Sequence, residues 1–162
     1  MDDTLRVWKV FESFVADGKV RQLGISNCYK FQDFQRLYEE TTIKPAVLQN
    51  RFYEQTKYDI KLREMCNNNK IRYQSFWTLT APGNRNAMNS PAWKVIANEK
   101  GLTPQTLMYA YMMSLGHTPL DGSKDTNHMK EDIDLMMRFQ TGEDVLAEAE
   151  IETLSDLLKI QS

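Results

Sequence analysis

The chain has 162 residues, of which 41% are hydrophobic and 26% charged, and its formal net charge at pH 7 is −2. These values are typical of an ordinary globular protein, so we expect residues 1–162 to form one domain. A balanced charge without a basic block argues against nucleic-acid binding, and no apolar run approaches the roughly 20 residues of a membrane span. The acidic N-terminus is unlike a secretory signal and the 2 cysteines lack metal-site spacing. We therefore expect a cytoplasmic protein without a metal site.

Helix-like and strand-like segments alternate along the chain. Residues 4–16 carry an apolar stripe at helical spacing, and Gly18 follows where a left-handed cap is expected. Further strands are predicted over 20–25, 45–49 and 71–77 and near 118–120. Further helices are predicted over 31–38, over 58–66 with three asparagines at its end, over 125–138 and over 142–159. Two more helices are predicted to start at Ser90-Pro91 and Thr103-Pro104.

This alternation predicts an α/β fold, because strands joined by helices form βαβ units with a parallel sheet under covering helices. About four strands are predicted here, whereas a closed (β/α)8 barrel of the TIM type has eight strands in about 250 residues. The sequence therefore predicts a partial barrel.

Four segments share one family pattern, in its order and spacing. They are GKVRQLGISN at 18–27, PAVLQN at 45–50, IRYQSFWTL at 71–79 and TPLDGS at 118–123. Together they resemble the last four strands of the aldo-keto reductase superfamily, and the resemblance covers nearly the whole chain. It implies that the first half of the barrel is missing from this chain. The second half, which this chain resembles, is the half that holds the nicotinamide cofactor.

The resemblance implies a set of cofactor-binding residues at the C-terminal ends of the strands, where parallel barrels place their sites. Ser26, Asn27 and Gln49 would offer donors and acceptors to the nicotinamide carboxamide, and Phe76 a flat face for its ring. The pyrophosphate would lie along Thr78, Leu79 and Thr80. The adenosine end would lie near Ser123, His128, Glu131 and Asp132, at a helix N-terminus that favours phosphate.

Each of these residues also has a simpler interpretation. Ser26 and Asn27 could form only a turn that caps the next helix, Gln49 could satisfy backbone groups, and Phe76 could belong to the core. The four motifs together favour a cofactor pocket.

The chain departs from the family at two places. The family's catalytic Asp, Tyr, Lys and His precede the Ser-Asn motif, and no position here matches them, so the resemblance implies no catalytic residue. Many relatives also place Pro-Lys before the serine of the phosphate loop, where this chain has Asp121 and Gly122. The choice between NADP(H) and NAD(H) is therefore left open.

Three hypotheses follow for the function. The chain is an aldo-keto reductase-like oxidoreductase fragment that binds the cofactor but is catalytically incompetent alone, or a non-enzymatic binding or oligomerisation half-barrel. Alternatively, it is a reductase that is active only when a partner supplies the missing strands. Half a barrel exposes two sheet edges, so we expect self-association or pairing with a first-half barrel.

Overall fold

The computed structural model describes residues 1–160, which form helices around a parallel sheet. The strands are β1 (Gly24–Ser26), β2 (Val47–Arg51), β3 (Arg72–Phe76) and β4 (Thr118–Pro119), in the order β1-β2-β3-β4. The helices are α1 (Asp2–Ala16), α2 (Phe31–Glu40), α3 (Ile60–Asn68), α4 (Pro82–Asn89), α5 (Pro91–Glu99), α6 (Pro104–Ser114), α7 (Thr126–Gln140) and α8 (Glu148–Leu157), with a 3-10 helix at Glu54–Asp59. The predicted α/β class and partial barrel are confirmed.

The β1–β2 pair requires a glycine. The strands are parallel, with Gly24, Ile25 and Ser26 opposite Val47, Leu48 and Gln49. A Cβ added to Gly24 would lie 2.9 Å from the Val47 carbonyl oxygen. Only a residue without a side chain allows this close approach of the two backbones.

The chain divides into two compact units, the first of which comprises residues 1–50 and 59–74. Its core is apolar and includes Trp8, Phe34, Leu37, Leu48, Leu62, Cys66 and Tyr73. Trp8 is the buried residue of α1, and its indole nitrogen donates to the Ile43 carbonyl at 2.9 Å. Val7 and Phe11 of the same helix are exposed, so the predicted apolar stripe is only partly buried.

The second unit comprises residues 51–58 and 75–160 and is built around α6. Seven consecutive residues of that helix, 106–112, are buried. The predicted helix starts are confirmed: the Ser90 hydroxyl accepts from the Trp93 amide at 3.3 Å, and the Thr103 hydroxyl accepts from the Thr106 amide at 3.1 Å. Strand β4 is held where the Leu120 amide donates to the Ser75 carbonyl at 2.8 Å.

Several element boundaries differ from the prediction. Strand β1 is shorter than 20–25, because residues 20–22 are exposed and unpaired with a neighbouring strand in the part of the chain described. Helix α3 begins at Ile60 because residues 57–59 have φ of 52°, 52° and 53°, and it continues through two of the three asparagines. Helix α8 begins at Glu148 rather than at residue 142, and the Ala147 amide that precedes it donates to Glu150 Oε2 at 2.7 Å. Helix α4 was not predicted.

None of the helices within residues 1–160 is both long enough and apolar enough to cross a bilayer. The same residues contain no group of three or more metal-ligating side chains close enough to hold an ion.

Candidate functional site

A polar cluster in the first unit lies at the C-terminal ends of β1 and β2. The Ser26 hydroxyl donates to the Gln49 carbonyl oxygen at 3.0 Å and accepts from the Asn27 amide at 3.2 Å. The Gln49 side-chain nitrogen donates to Oε1 of Gln74 at 2.9 Å. The structure thus brings together the three residues predicted for the carboxamide.

Asn27 is held in an unusual backbone conformation within this cluster. Its φ is 59°, in the left-handed region that asparagine tolerates better than most residues. Its Oδ1 accepts from the Tyr29 hydroxyl at 2.9 Å. The next residue, Cys28, is anchored on both backbone groups: its N–H donates to Asn50 Oδ1 at 3.0 Å and its carbonyl accepts from Asn50 Nδ2 at 2.8 Å. Asn50 therefore positions the turn that carries Asn27.

The donor set of this cluster fits a carboxamide. The bond from Gln49 to Gln74 uses the Gln49 nitrogen, so Gln49 Oε1 can accept from an amide N–H. Ser26 and Asn27 are exposed, and their hydroxyl and amide groups can both donate and accept.

The second unit contains a cavity of about 390 Å³. All seven residues predicted for the pyrophosphate and adenosine line it: Thr78, Leu79, Thr80, Ser123, His128, Glu131 and Asp132. They come from the segment after β3 and from the loop and helix after β4, which are 40 or more residues apart in sequence. The fold therefore brings these separate motifs to one place.

Negative charge dominates the lining of this cavity. Asp121, Glu131 and Asp132 contribute carboxyl groups, and none of its described lining residues is Lys or Arg. Burial, then the charge of Asp121 and a hydrogen bond with it, raise the pKa of Asp132 to about 6. Such a lining suits ribose hydroxyls better than a phosphate dianion.

The N-terminus of α7 is already capped by a carboxylate. Oδ1 of Asp125 accepts from the amides of Asn127 at 2.8 Å and His128 at 3.3 Å. These bonds lower the pKa of Asp125. Free amides at a helix N-terminus attract phosphate, but here two of them are used by a side chain that carries negative charge itself.

The predicted stacking residue Phe76 is half-buried and does not line the cavity in the described part of the unit. The Arg51 guanidinium lies 5.8 Å from its ring centroid and 4.7 Å from that of Trp77. Trp77 lines the cavity, is 45% exposed, and packs edge-on against Tyr53 with centroids 6.1 Å apart. An aromatic surface is present, but an arginine shares it.

Sequence reasoning did not assign several further residues of the cavity. They are Trp77, Thr103, Gln105, Thr106, Tyr109 and Leu120. A signal was available for Thr103, because Thr103-Pro104 marks the start of α6. In a parallel α/β fold, helices begin at the end of the sheet where the strands finish.

Comparisons with known proteins agree on one family. Residues 2–151 match the sequence model described as the Aldo/keto reductase family. An aldo-keto reductase family 4 member from Arabidopsis thaliana is 28% identical over 138 residues, covering 83% of this chain and 43% of that protein. A D-galacturonate reductase from Hypocrea jecorina is 26% identical over 129 residues, covering 80% of this chain and 41% of that protein.

Solved structures show the same fold. An aldo-keto reductase from a Medee basin deep-sea metagenome library superposes with a TM-score of 0.82 at 17% identity, covering 99% of this chain and 56% of that one. An aldo-keto reductase complexed with NADPH superposes with a TM-score of 0.74 at 17% identity, covering 96% of this chain and 46% of that one. The chain spans about half the length of the curated relatives it matches.

Proposed function

The chain belongs to the aldo/keto reductase family of oxidoreductases, and on that premise we propose that it binds a nicotinamide dinucleotide. The observation that carries the proposal is the cavity of about 390 Å³ lined by seven residues of two separate family motifs. Within this cavity, Thr78, Leu79 and Thr80 would bind the pyrophosphate, and the residues after β4, which include its acids, would bind the adenosine. Ser26, Asn27 and Gln49 would bind the carboxamide. When bound, the dinucleotide supplies or accepts hydride; the residues of this chain orient it.

The adenosine part of the proposal is tested with ADP-ribose, which lacks nicotinamide. Thr80 is exposed and lines the cavity, so Thr80→Trp should fill part of it. We expect isothermal titration calorimetry to show affinity for ADP-ribose falling roughly tenfold or more, which corresponds to a loss of about 1.4 kcal/mol or more of binding free energy. Thr153→Trp on α8, exposed and outside the cavity lining, is the matched control. Equal binding by both variants contradicts the assignment.

The carboxamide part is tested by comparing two ligands on one variant. Gln49→Ala removes the amide that can accept from the carboxamide N–H, and should weaken NADH binding while leaving ADP-ribose binding unchanged. Gln32→Ala, at an exposed position of α2, should change neither. If Gln49→Ala weakens both ligands equally, Gln49 supports the fold and does not contact nicotinamide.

We further propose that cofactor binding discriminates little in favour of NADPH over NADH. Asp121 and Gly122 stand where many relatives have Pro-Lys, so a charge-assisted contact to the 2′-phosphate is lost. The Asp125 carboxylate, which caps the N-terminus of α7, also disfavours a phosphate at that position. A preference for NADPH above roughly tenfold would mean that Lys124 or another base reaches that phosphate.

The reductase reaction itself is not proposed for this chain alone. No residue matches the family's catalytic acid, so we propose a cofactor-binding half-barrel over residues 1–162 that functions in the cytoplasm. A reductase assembled with a partner that supplies the missing strands, or a non-enzymatic binding module, remains the alternative. Dinucleotide binding without turnover favours the half-barrel, and turnover that appears only with a partner favours the assembled enzyme.

A further inference from the structure

Three neighbouring strands of the first unit contribute one row of polar side chains. Ser26 of β1 lies opposite Gln49 of β2 in the parallel register. The Arg72 amide donates to the Ala46 carbonyl at 2.9 Å, and this register places Gln74 of β3 beside Gln49. Gln49 and Gln74 alternate with buried residues of their strands, so both side chains lie on the same face of the sheet. Gln74 is therefore a direct neighbour of a residue that would bind the carboxamide.

The hydrogen bond between the two glutamines has a direction. Gln49 Nε2 donates to Gln74 Oε1 at 2.9 Å, and both side chains are half-buried. A primary amide has one donor end and one acceptor end, so a partner that holds its nitrogen leaves its oxygen for another group. Gln74 therefore determines which end of the Gln49 amide remains for a ligand.

We propose that Gln74 is a positioning residue for nicotinamide recognition: by holding the Gln49 nitrogen, it fixes Gln49 Oε1 as the acceptor for an N–H of the carboxamide. The inference rests on the proposed function, because it requires the carboxamide to bind at Ser26, Asn27 and Gln49. It deepens that function by naming the group that is selected on the pyridine ring, a substituent that carries an N–H. A substituent with a carbonyl but without an N–H is discriminated against.

The neighbouring polar groups complement this arrangement. One N–H of Asn27 Nδ2 donates to the Ser26 hydroxyl oxygen at 3.2 Å, and the second can donate to the carboxamide oxygen. The Ser26 hydroxyl donates to the Gln49 carbonyl oxygen at 3.0 Å, so its proton is used within the protein. The cluster thus offers a donor from Asn27 and an acceptor from Gln49, which match the two ends of a carboxamide. A Gln49 amide of the opposite orientation would place its own N–H against the carboxamide nitrogen, donor against donor.

The test compares NAD⁺ with 3-acetylpyridine adenine dinucleotide, in which a methyl group replaces the carboxamide nitrogen. The two dinucleotides carry the same charge, so the ratio of their affinities for one protein reports this substituent and does not depend on the folded fraction. Calorimetry measures the ratio for the unmodified chain, for Gln74→Leu, which cannot accept from Gln49, and for Gln74→Glu, which can. Gln32→Leu, at an exposed position of α2, is the control.

We expect the unmodified chain to bind NAD⁺ roughly tenfold more tightly than the acetyl analogue, the effect of about one hydrogen bond. Gln74→Leu lets the Gln49 amide rotate and donate to the acetyl oxygen, so the ratio should fall to about threefold or less. Gln74→Glu should keep the ratio of the unmodified chain, because a carboxylate accepts from the Gln49 nitrogen and its charge affects both dinucleotides alike. Gln32→Leu should also keep it.

Three results would overturn the inference alone. They are an unchanged ratio in Gln74→Leu, a ratio near one in an unmodified chain that binds NAD⁺, and a lower ratio in Gln74→Glu. The last of these would mean that Gln74 holds the Gln49 amide in the opposite orientation. Failure of every form to bind NAD⁺ would overturn the proposed function, and the inference with it.

Discussion

The side-chain nitrogen of Asn50 lies 2.7 Å from Oδ2 of Asp59, and the two side chains are 0% and 3% exposed. The Tyr73 hydroxyl donates to the same Asp59 oxygen at 3.0 Å. A buried carboxylate of this kind needs its donors, because removing one leaves part of its charge without compensation. Since Asn50 also holds both backbone groups of Cys28, one side chain joins the buried acid to the turn that carries Asn27.

We expect Asn50→Ala to lower the free energy of unfolding by about 2 kcal/mol or more, because it removes a donor to Asp59 and both contacts to Cys28. Urea denaturation measures this change. Asn98→Ala, at an exposed position of α5, should alter stability by less than about 0.5 kcal/mol. Equal stability of the two variants would show that Asp59 and Cys28 are satisfied without Asn50.

A second prediction concerns the approach of β1 to β2. Gly24→Ala places a methyl group 2.9 Å from the Val47 carbonyl oxygen, a backbone atom that cannot move away alone. We expect a loss of about 1–3 kcal/mol, the usual cost of forcing extra volume into a packed site. Gly122→Ala meets no atom within 4 Å and should be close to neutral in the same thermal or urea experiment. Two neutral variants would mean that the strands can separate without cost.

Much of the fold could be predicted because it depends on local signals. Ser90-Pro91 and Thr103-Pro104 each supply a side-chain cap and a proline at the first helical position, and both helices begin there. Boundaries that depend on tertiary packing could not be predicted. Helix α3 begins later than predicted because residues 57–59 all have positive φ. None of the three is glycine or asparagine, the residues from which that conformation would have been predicted.

The candidate site was predictable where a family motif marks it and not elsewhere. Ser26 and Gln49 follow from their motifs, and the structure places them in contact. The hydrogen bond from the Tyr109 hydroxyl to Asp121, at 3.3 Å, joins α6 to the segment after β4, and no sequence signal predicts it. The position of Arg51 over Trp77 is of the same kind, because it requires the ends of two strands to be adjacent.

Asp132 should also make stability depend on pH. Its pKa in the folded state is about 6, above the ordinary value of 3.8, so its carboxyl group stabilises the fold most below pH 3.8 and loses that contribution as the pH rises through 6. We expect Asp132→Asn to be more stable than the unmodified chain at pH 8 by about 1 kcal/mol, allowing for partial exposure. Urea titrations at pH 4 and 8 should show the difference disappearing at the lower pH. A constant difference would indicate a packing effect.

The outer face of α7 should promote self-association. Ile133 is 55% exposed and lines an apolar cavity of about 410 Å³ between α6, β4 and α7. Met137, four residues later on the same helix, is 51% exposed. Contiguous exposed apolar surface of this kind marks an interface or an aggregation site. Light scattering after size exclusion should show species larger than 18.9 kDa, and Met137→Glu should shift them towards the monomer. Thr153→Glu on α8 is the control and should leave the size of the species unchanged. A sharp monomeric peak of the unmodified chain would refute the expectation.

The final prediction is that this chain alone does not reduce aldehydes or ketones at a rate typical of the family. Hydride transfer to a carbonyl needs an acid to protonate the oxygen, and the pocket groups Ser26, Asn27 and Gln49 cannot serve as one. Burial, followed by Glu54 and Tyr111, raises the pKa of Tyr58 to about 12. An ordinary phenol is already a poor acid at pH 7, and this shift makes Tyr58 poorer.

Two further phenols are shifted in the same direction. The pKa of Tyr73 is raised by burial and then by the charge of Asp59. The pKa of Tyr109 is raised by burial and then by the charges of Asp121 and Asp132. The assay follows NADPH or NADH consumption with a nitrobenzaldehyde at high protein concentration. We expect no turnover near one per second, a rate at the low end of ordinary enzymes. Turnover at that rate that is lost in Gln49→Ala but kept in Gln32→Ala would show that the chain, or an oligomer of it, supplies the acid.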